Sequence, residues 1–177
     1  MAPSWCGSSL HLARRFFGAI KPGPPPVADE QWALTRLGDA ERDLWRRMNN
    51  PDRRHGIAVA YRVVGELGAT ATRPVIAAAL LHDVGKIESN FRTPARVIAT
   101  LFWSAAPHRL ATNWLEGPVP LRQLAQYRLH PELGEQLLVA AGADPLTSSW
   151  AADHHAPASS WRVSVEVGQV LKDCDDD

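Results

Sequence analysis

From Asp29 onward the apolar positions of this chain recur at three- and four-residue intervals, and X-Pro starts and glycine stops cut that pattern into helix-length pieces. Asp29 is placed to cap a helix that carries Trp32, Leu34 and Leu37. Gly38-Asp39 breaks it, and Asp39 is placed to cap a second helix through Leu44, Trp45 and Met48. Asn50-Pro51 opens a third, with proline at the first position, and Gly68 ends it. Arg73-Pro74 starts the helix that runs into His82-Asp83. Thr93-Pro94 starts another over Ala95 to Trp103, and Asp144-Pro145 starts one that reaches His154. Trp114 to Pro120 reads as a loop. No segment has the period-two alternation of a strand and no repeat is present, so the fold class is all-α.

Ahead of that pattern, residues 8–20 set Leu10, Phe16, Phe17 and Ile20 among basic residues, a short amphipathic helix that caps the core. Arg14, Arg15 and Lys21 are too few to make it a membrane-surface helix. The run Lys21-Pro-Gly-Pro-Pro-Pro26 is a stiff linker that cannot be helical. Residues 1–26 therefore form a helix and linker, and 27–177 a single helical domain of a length that can bury a core.

Charge removes some partners. With 19 basic and 19 acidic residues the net charge is zero, so the chain has no field with which to wrap nucleic acid. A small phosphorylated substrate needs only local positive charge. Cys6 and Cys174 form no Cys-x-x-Cys pair and suit a reducing cytoplasm. No apolar run reaches the length of a membrane span, and His11, Arg14 and Arg15 interrupt what would have to be a secretory signal. A cytoplasmic location is expected.

The candidate chemistry lies in the histidines. His82 and Asp83 close an apolar run, where an imidazole and a carboxylate are costly to bury unless something compensates them. His55 falls near the start of its helix, and the short turn from Gly68 to Arg73 packs that helix antiparallel to the next, bringing His55 beside His82. His130 precedes Pro131 at a helix start, while His154 and His155 close the helix begun at Pro145. A single histidine on an apolar helix is more often a hydrogen-bonded core residue than a ligand. Five at helix ends, one beside an aspartate and two adjacent, point to a metal site. His11 and His108 bear no spacing relation to the rest and read as surface residues. Neighbours on a helix point about 100° apart, so His154 and His155 share one cluster only if it is wide or the helix ends between them. Asp83 has two oxygens and could bridge two ions. Imidazole and carboxylate donors suit iron, manganese, zinc or cobalt, as one or two divalent ions.

These residues resemble the HD superfamily of metal-dependent phosphohydrolases. The stretch His82-Asp83-Val84-Gly85-Lys86, then His130-Pro131-Glu132-Leu133-Gly134 and His154-His155, is similar to its HD-GYP subgroup over roughly residues 50–177. The resemblance implies an all-α domain with a metal centre in a groove and hydrolysis of a phosphoester, often in a nucleotide. It assigns His55, His82, Asp83, His130, His154 and His155 as ligands. It adds a late aspartate, best matched by Asp175, with Asp173 and Asp176 as alternatives and a solvated acidic tail as the structural reading. After His154-His155 the subgroup's glutamate and Gly-Tyr-Pro segment are replaced by Ala156-Pro157-Ala158-Ser159-Ser160-Trp161, so cyclic dinucleotide specificity is not carried over.

Lys86 matches the lysine of that motif. It would hold a phosphate oxygen or the leaving group, or else serve as a charge at a helix C-terminus. Asp83 and Lys86 are thus the candidate catalytic pair. Some HD-fold proteins use two irons to activate oxygen, and a metal or nucleotide-binding module without catalysis forms a third class. Trp32, Trp45, Trp103 and Trp150 read as core, and Trp161 as the tryptophan best placed to stack on a base.

Overall fold

The computed structural model describes residues 23–89, 99, 103 and 108–176, and these contain helices and turns with no strand. The expected N-terminal helix, most of the Thr93–Trp103 helix, His11, Cys6 and the side chain of His108 lie outside the described residues. In chain order the helices are α1 (Val27–Leu34), α2 (Asp39–Arg47), α3 (Asn50–Leu67), α4 (Arg73–Leu81), α5 (Lys86–Ser89), α6 (His108–Trp114), α7 (Val119–Arg128), α8 (His130–Ala140), α9 (Pro145–Asp153) and α10 (Val165–Asp176). Among the described residues no helix is long and apolar enough to cross a membrane.

Several boundaries differ from those read in the sequence. α1 starts at Val27, so Asp29 sits inside the first turn, where with Glu30 it complements the helix dipole rather than capping it. Gly38, not Asp39, caps α2: the Gly38 N–H donates to a Glu41 carboxylate oxygen at 2.6 Å. The loop expected over Trp114 to Pro120 is present but shorter, spanning 115–118, because α6 runs to Trp114 and Pro120 is accommodated in the first turn of α7.

α3 and α4 pack against each other across the Gly68–Thr70 turn, and α9 and α10 cover α4. Gly56 allows the close crossing, since a Cβ there would come within 2.5 Å of the Leu80 carbonyl oxygen. Trp45, Trp150, Leu80, Leu81, Leu138 and Leu171 fill the main core. A smaller cluster around Trp103, Ala111, Ala125 and Leu129 lies beside α7, with the Trp103 indole N–H donating to the Leu124 carbonyl at 2.8 Å.

Two tryptophans depart from expectation. Trp32 is only half-buried, set against Tyr61 and under the Arg36 guanidinium. Trp161 is not a stacking platform. Its N–H donates to the Ala156 carbonyl at 3.0 Å, its ring meets Trp150 edge-on at 5.5 Å, and a Cβ on Gly168 would come within 2.5 Å of it. The anchored indole fixes the chain where it leaves α9 for α10.

Candidate metal centre

Three helix ends and two helix starts converge here, around the C-terminus of α4. His82 is the C-cap of that helix and Asp83 follows in the turn to α5. His55 comes from the second turn of α3, His130 from the first residue of α8, and His154 and His155 from the exit of α9. Asp175 is delivered by the last turn of α10 and is buried, so the late aspartate of this cluster is Asp175 and not an exposed tail residue.

The side chains sort into two triads. His55, His82 and Asp175 form one, His130, His154 and His155 the other, and within each triad the donor atoms lie within 4.8 Å of one another. Asp83 stands between them. Its Oδ2 is 3.5 Å from His82 Nε2, while its Oδ1 is 3.4 Å from His130 Nε2 and 3.8 Å from His154 Nε2. Asp175 Oδ1 lies 2.8 Å from His55 Nε2 and 3.6 Å from His82 Nε2.

Three imidazoles share one local device. His82, His130 and His154 each donate Nδ1–H to the carbonyl three residues earlier, on Ala79, Tyr127 and Ala151, at 2.8–2.9 Å. A carbonyl only accepts, so the proton is on Nδ1 and the lone pair on Nε2. All three Nε2 atoms are buried and without a hydrogen-bond partner. Leaving a buried acceptor unsatisfied costs about 1–3 kcal/mol each. The separations of 3.4–3.8 Å around Asp83 are too long for hydrogen bonds. Two donors each about 2.1 Å from a tetrahedral ion stand about 3.4 Å apart. The donor set therefore fits divalent transition metal, with Asp83 as the shared carboxylate.

Adjacent residues on a helix would diverge, but α9 ends at Asp153 and the rings of His154 and His155 lie with centroids 3.9 Å apart. Both serve the same triad. His155 keeps an edge open to solvent, while His154 and His82 are almost fully enclosed.

Electrostatics hold the donors ready. Burial, reinforced by His155, His82 and His130, pushes His154 well below the ordinary imidazole range. Burial and His130 lower His155 to about 3 despite its open edge. Burial also lowers His55, against the opposing pull of Asp175. Burial alone would raise Asp83, yet its carboxyl is held well below the usual range, the Lys86 ammonium being the largest opposing influence. Asp175 is likewise held down against its own burial, hydrogen-bonded to the His55 ring.

Lys86 opens α5, beyond the end of α4, and its Nζ is 2.5 Å from Asp83 Oδ2. Burial would neutralise it, yet Asp83, Asp52 and Tyr127 keep it protonated. Neither Asp52 nor Tyr127 stands out in the sequence. Asp52 is one turn before His55, and Tyr127 supplies the carbonyl that orients His130. Gly85, the glycine of the His82–Lys86 stretch, seats this turn. A Cβ on Gly85 would come within 2.6 Å of the Gly134 nitrogen and closer still to the His130 carbonyl oxygen.

No protein-family model, curated protein or solved structure matches this chain.

Proposed function

We propose that this protein is a metal-dependent phosphohydrolase of the HD type, acting on a small phosphoester such as a nucleotide. One observation carries the reading. Three buried imidazoles have Nδ1 committed to backbone carbonyls and Nε2 left without a partner around a shared ionised aspartate. His55, His82, Asp83 and Asp175 would hold one ion, and Asp83, His130, His154 and His155 a second. Ions so held lower the pKa of a coordinated water and neutralise charge developing at phosphorus.

Charge favours an anionic substrate. With the imidazoles neutral, Asp83, Asp175 and Asp52 against Lys86 leave the cleft with two negative charges, which one divalent ion would neutralise and two would turn positive. The open edge of His155 places that positive charge at solvent. Lys86 is positioned to hold Asp83 in register, and its ammonium is the cationic side chain nearest the shared carboxylate for a phosphoryl oxygen to meet.

The test is elemental analysis of anaerobically purified protein, followed by a phosphatase and phosphodiesterase panel under nitrogen. Bound transition metal with phosphoester turnover is expected. Protein that takes up no transition metal refutes the reading. Bound iron with an oxygen-sensitive optical spectrum and no phosphoester turnover replaces it with an oxygenase.

A further inference from the structure

Each triad is gathered from separate helices, and in each case one arginine ties together two of the helices that carry the ligands. Arg62 stands seven residues after His55, hence on the same face of α3 two turns along. Its Nε and Nη2 both donate to the Cys174 carbonyl, at 2.8 and 2.6 Å. That carbonyl is in the last turn of α10, and the next residue is Asp175. The arginine therefore fixes the end of α10 against the helix of His55.

Arg162 does the corresponding work on the other side. Its backbone N–H and Nη2 donate to the Asp153 carboxylate, each at 2.8 Å, and its Nη1 to Glu135 Oε1 at 2.5 Å. Asp153 is the last residue of α9, immediately before His154-His155, and Glu135 lies on α8, the helix that opens with His130. One guanidinium so links every element that supplies the three-histidine triad.

From these contacts we infer that Arg62 and Arg162 are separate positioning residues, each governing the affinity of one ion of the pair. Neither can itself ligate a metal, since a protonated guanidinium offers no lone pair. Their effect is to fix where Asp175, and where His154, His155 and His130, present their donors. Supporting contacts of this kind change metal affinity by about 10–100-fold when removed. The inference rests on the two-ion reading given above.

Cobalt(II) binding to the full chain tests it, followed by visible absorption and elemental analysis. Wild type should take up two ions. Arg62→Met should weaken one ion by about 10–100-fold and leave a spectrum like that of Asp175→Asn. Arg162→Met should weaken the other and leave a spectrum like that of His155→Ala. Lysine at either position should restore part of the lost affinity. Where a methionine variant loses its helical circular dichroism, Arg62→Lys and Glu135→Gln carry the same comparison with smaller shifts. Variants that lose both ions together, lose neither, or lose the opposite ion overturn the assignment while the two-ion reading stands. A wild type that binds fewer than two ions overturns both. Because cobalt uptake is read without substrate, absence of phosphoester turnover would strike the hydrolytic reading alone.

Discussion

Gly85→Ala tests how tightly the shared carboxylate must be seated. Gly85 lies two residues beyond Asp83, pressed against the first turn of α8. The added Cβ would stand 2.6 Å from the Gly134 nitrogen and 2.8 Å from the His130 carbonyl carbon, where ordinary contact begins at 3.4 Å. Both are backbone atoms, so no side chain can rotate away, and α8 must retreat by at least about 0.8 Å. His130 Nε2, now 3.4 Å from Asp83 Oδ1, would move out to about 4 Å, past the spacing of about 3.4 Å that a tetrahedral pair of donors takes. Overpacking of this kind costs about 1–3 kcal/mol, which in a chain of this length lowers Tm by about 2–12 °C. Gly65→Ala is the control. A Cβ there meets nothing, and inside α3 it should raise stability by about 0.5–1 kcal/mol. Thermal unfolding followed by circular dichroism, with elemental analysis of the folded protein, reads both effects. If Gly85→Ala melts with wild type and keeps its full metal content, the contact between the Asp83 turn and α8 does not set the site.

Four further outcomes are expected. Asp83→Ala should abolish metal binding and His82→Ala should cost the ion of its own triad, both keeping most helix content; full occupancy by elemental analysis in either would remove that residue from the ligand set. His154→Ala and His155→Ala should each cost the same ion, because both rings belong to one triad, and distinct losses in their cobalt spectra would contradict the shared placement. Lys86→Met should spare metal and slow phosphoester turnover by about two orders of magnitude, with Lys86→Arg recovering only part; unchanged rate constants would confine Lys86 to positioning Asp83. In metal-free protein, His154 and His155 have folded pKa values below that of the unfolded chain, so the unfolded state takes up protons first as pH falls. Protonating them costs stability only below about pH 6.5, and the loss grows as pH falls, so a urea midpoint unchanged between about pH 7 and pH 5 would contradict the neutral assignment.

The helical architecture was legible because proline starts, glycine stops and apolar periodicity act locally. The start of α2 differs because two acceptable caps are adjacent, and Gly38 with Glu41 prevailed over Asp39; α1 begins after Pro26 with no side-chain cap at all. The histidines were legible as a set because each falls at a helix end, a property that sequence displays. Their partition into two triads was not, since it depends on how α9 terminates: one more helical turn would have sent His154 and His155 apart. Trp161 misled because a tryptophan after a Pro-Ser stretch looks unsupported until Gly168, on the following helix, is seen to make room for its ring. Arg62, Arg162 and Gly85 act through backbone carbonyls, a carboxylate or close backbone approach. None of these leaves a periodic trace in a single sequence.

Asp83 is the one group that both triads face, so the effects of perturbation should depend on where they enter. A change at Arg62 reaches the site through α10 and Asp175, and a change at Arg162 through α8 and α9; each meets three donors of its own before it meets Asp83. Gly85 acts between the Asp83 turn and α8, so it lies nearer to the joint. Loss of Asp83 itself removes a donor from both halves and leaves Lys86 a buried cation without its closest partner. The lysine then repels the cations that the remaining imidazoles could still bind. That second penalty is absent from any substitution confined to a histidine. It makes Asp83 the position where metal affinity and stability should fall together, while Arg62 and Arg162 should separate the two ions.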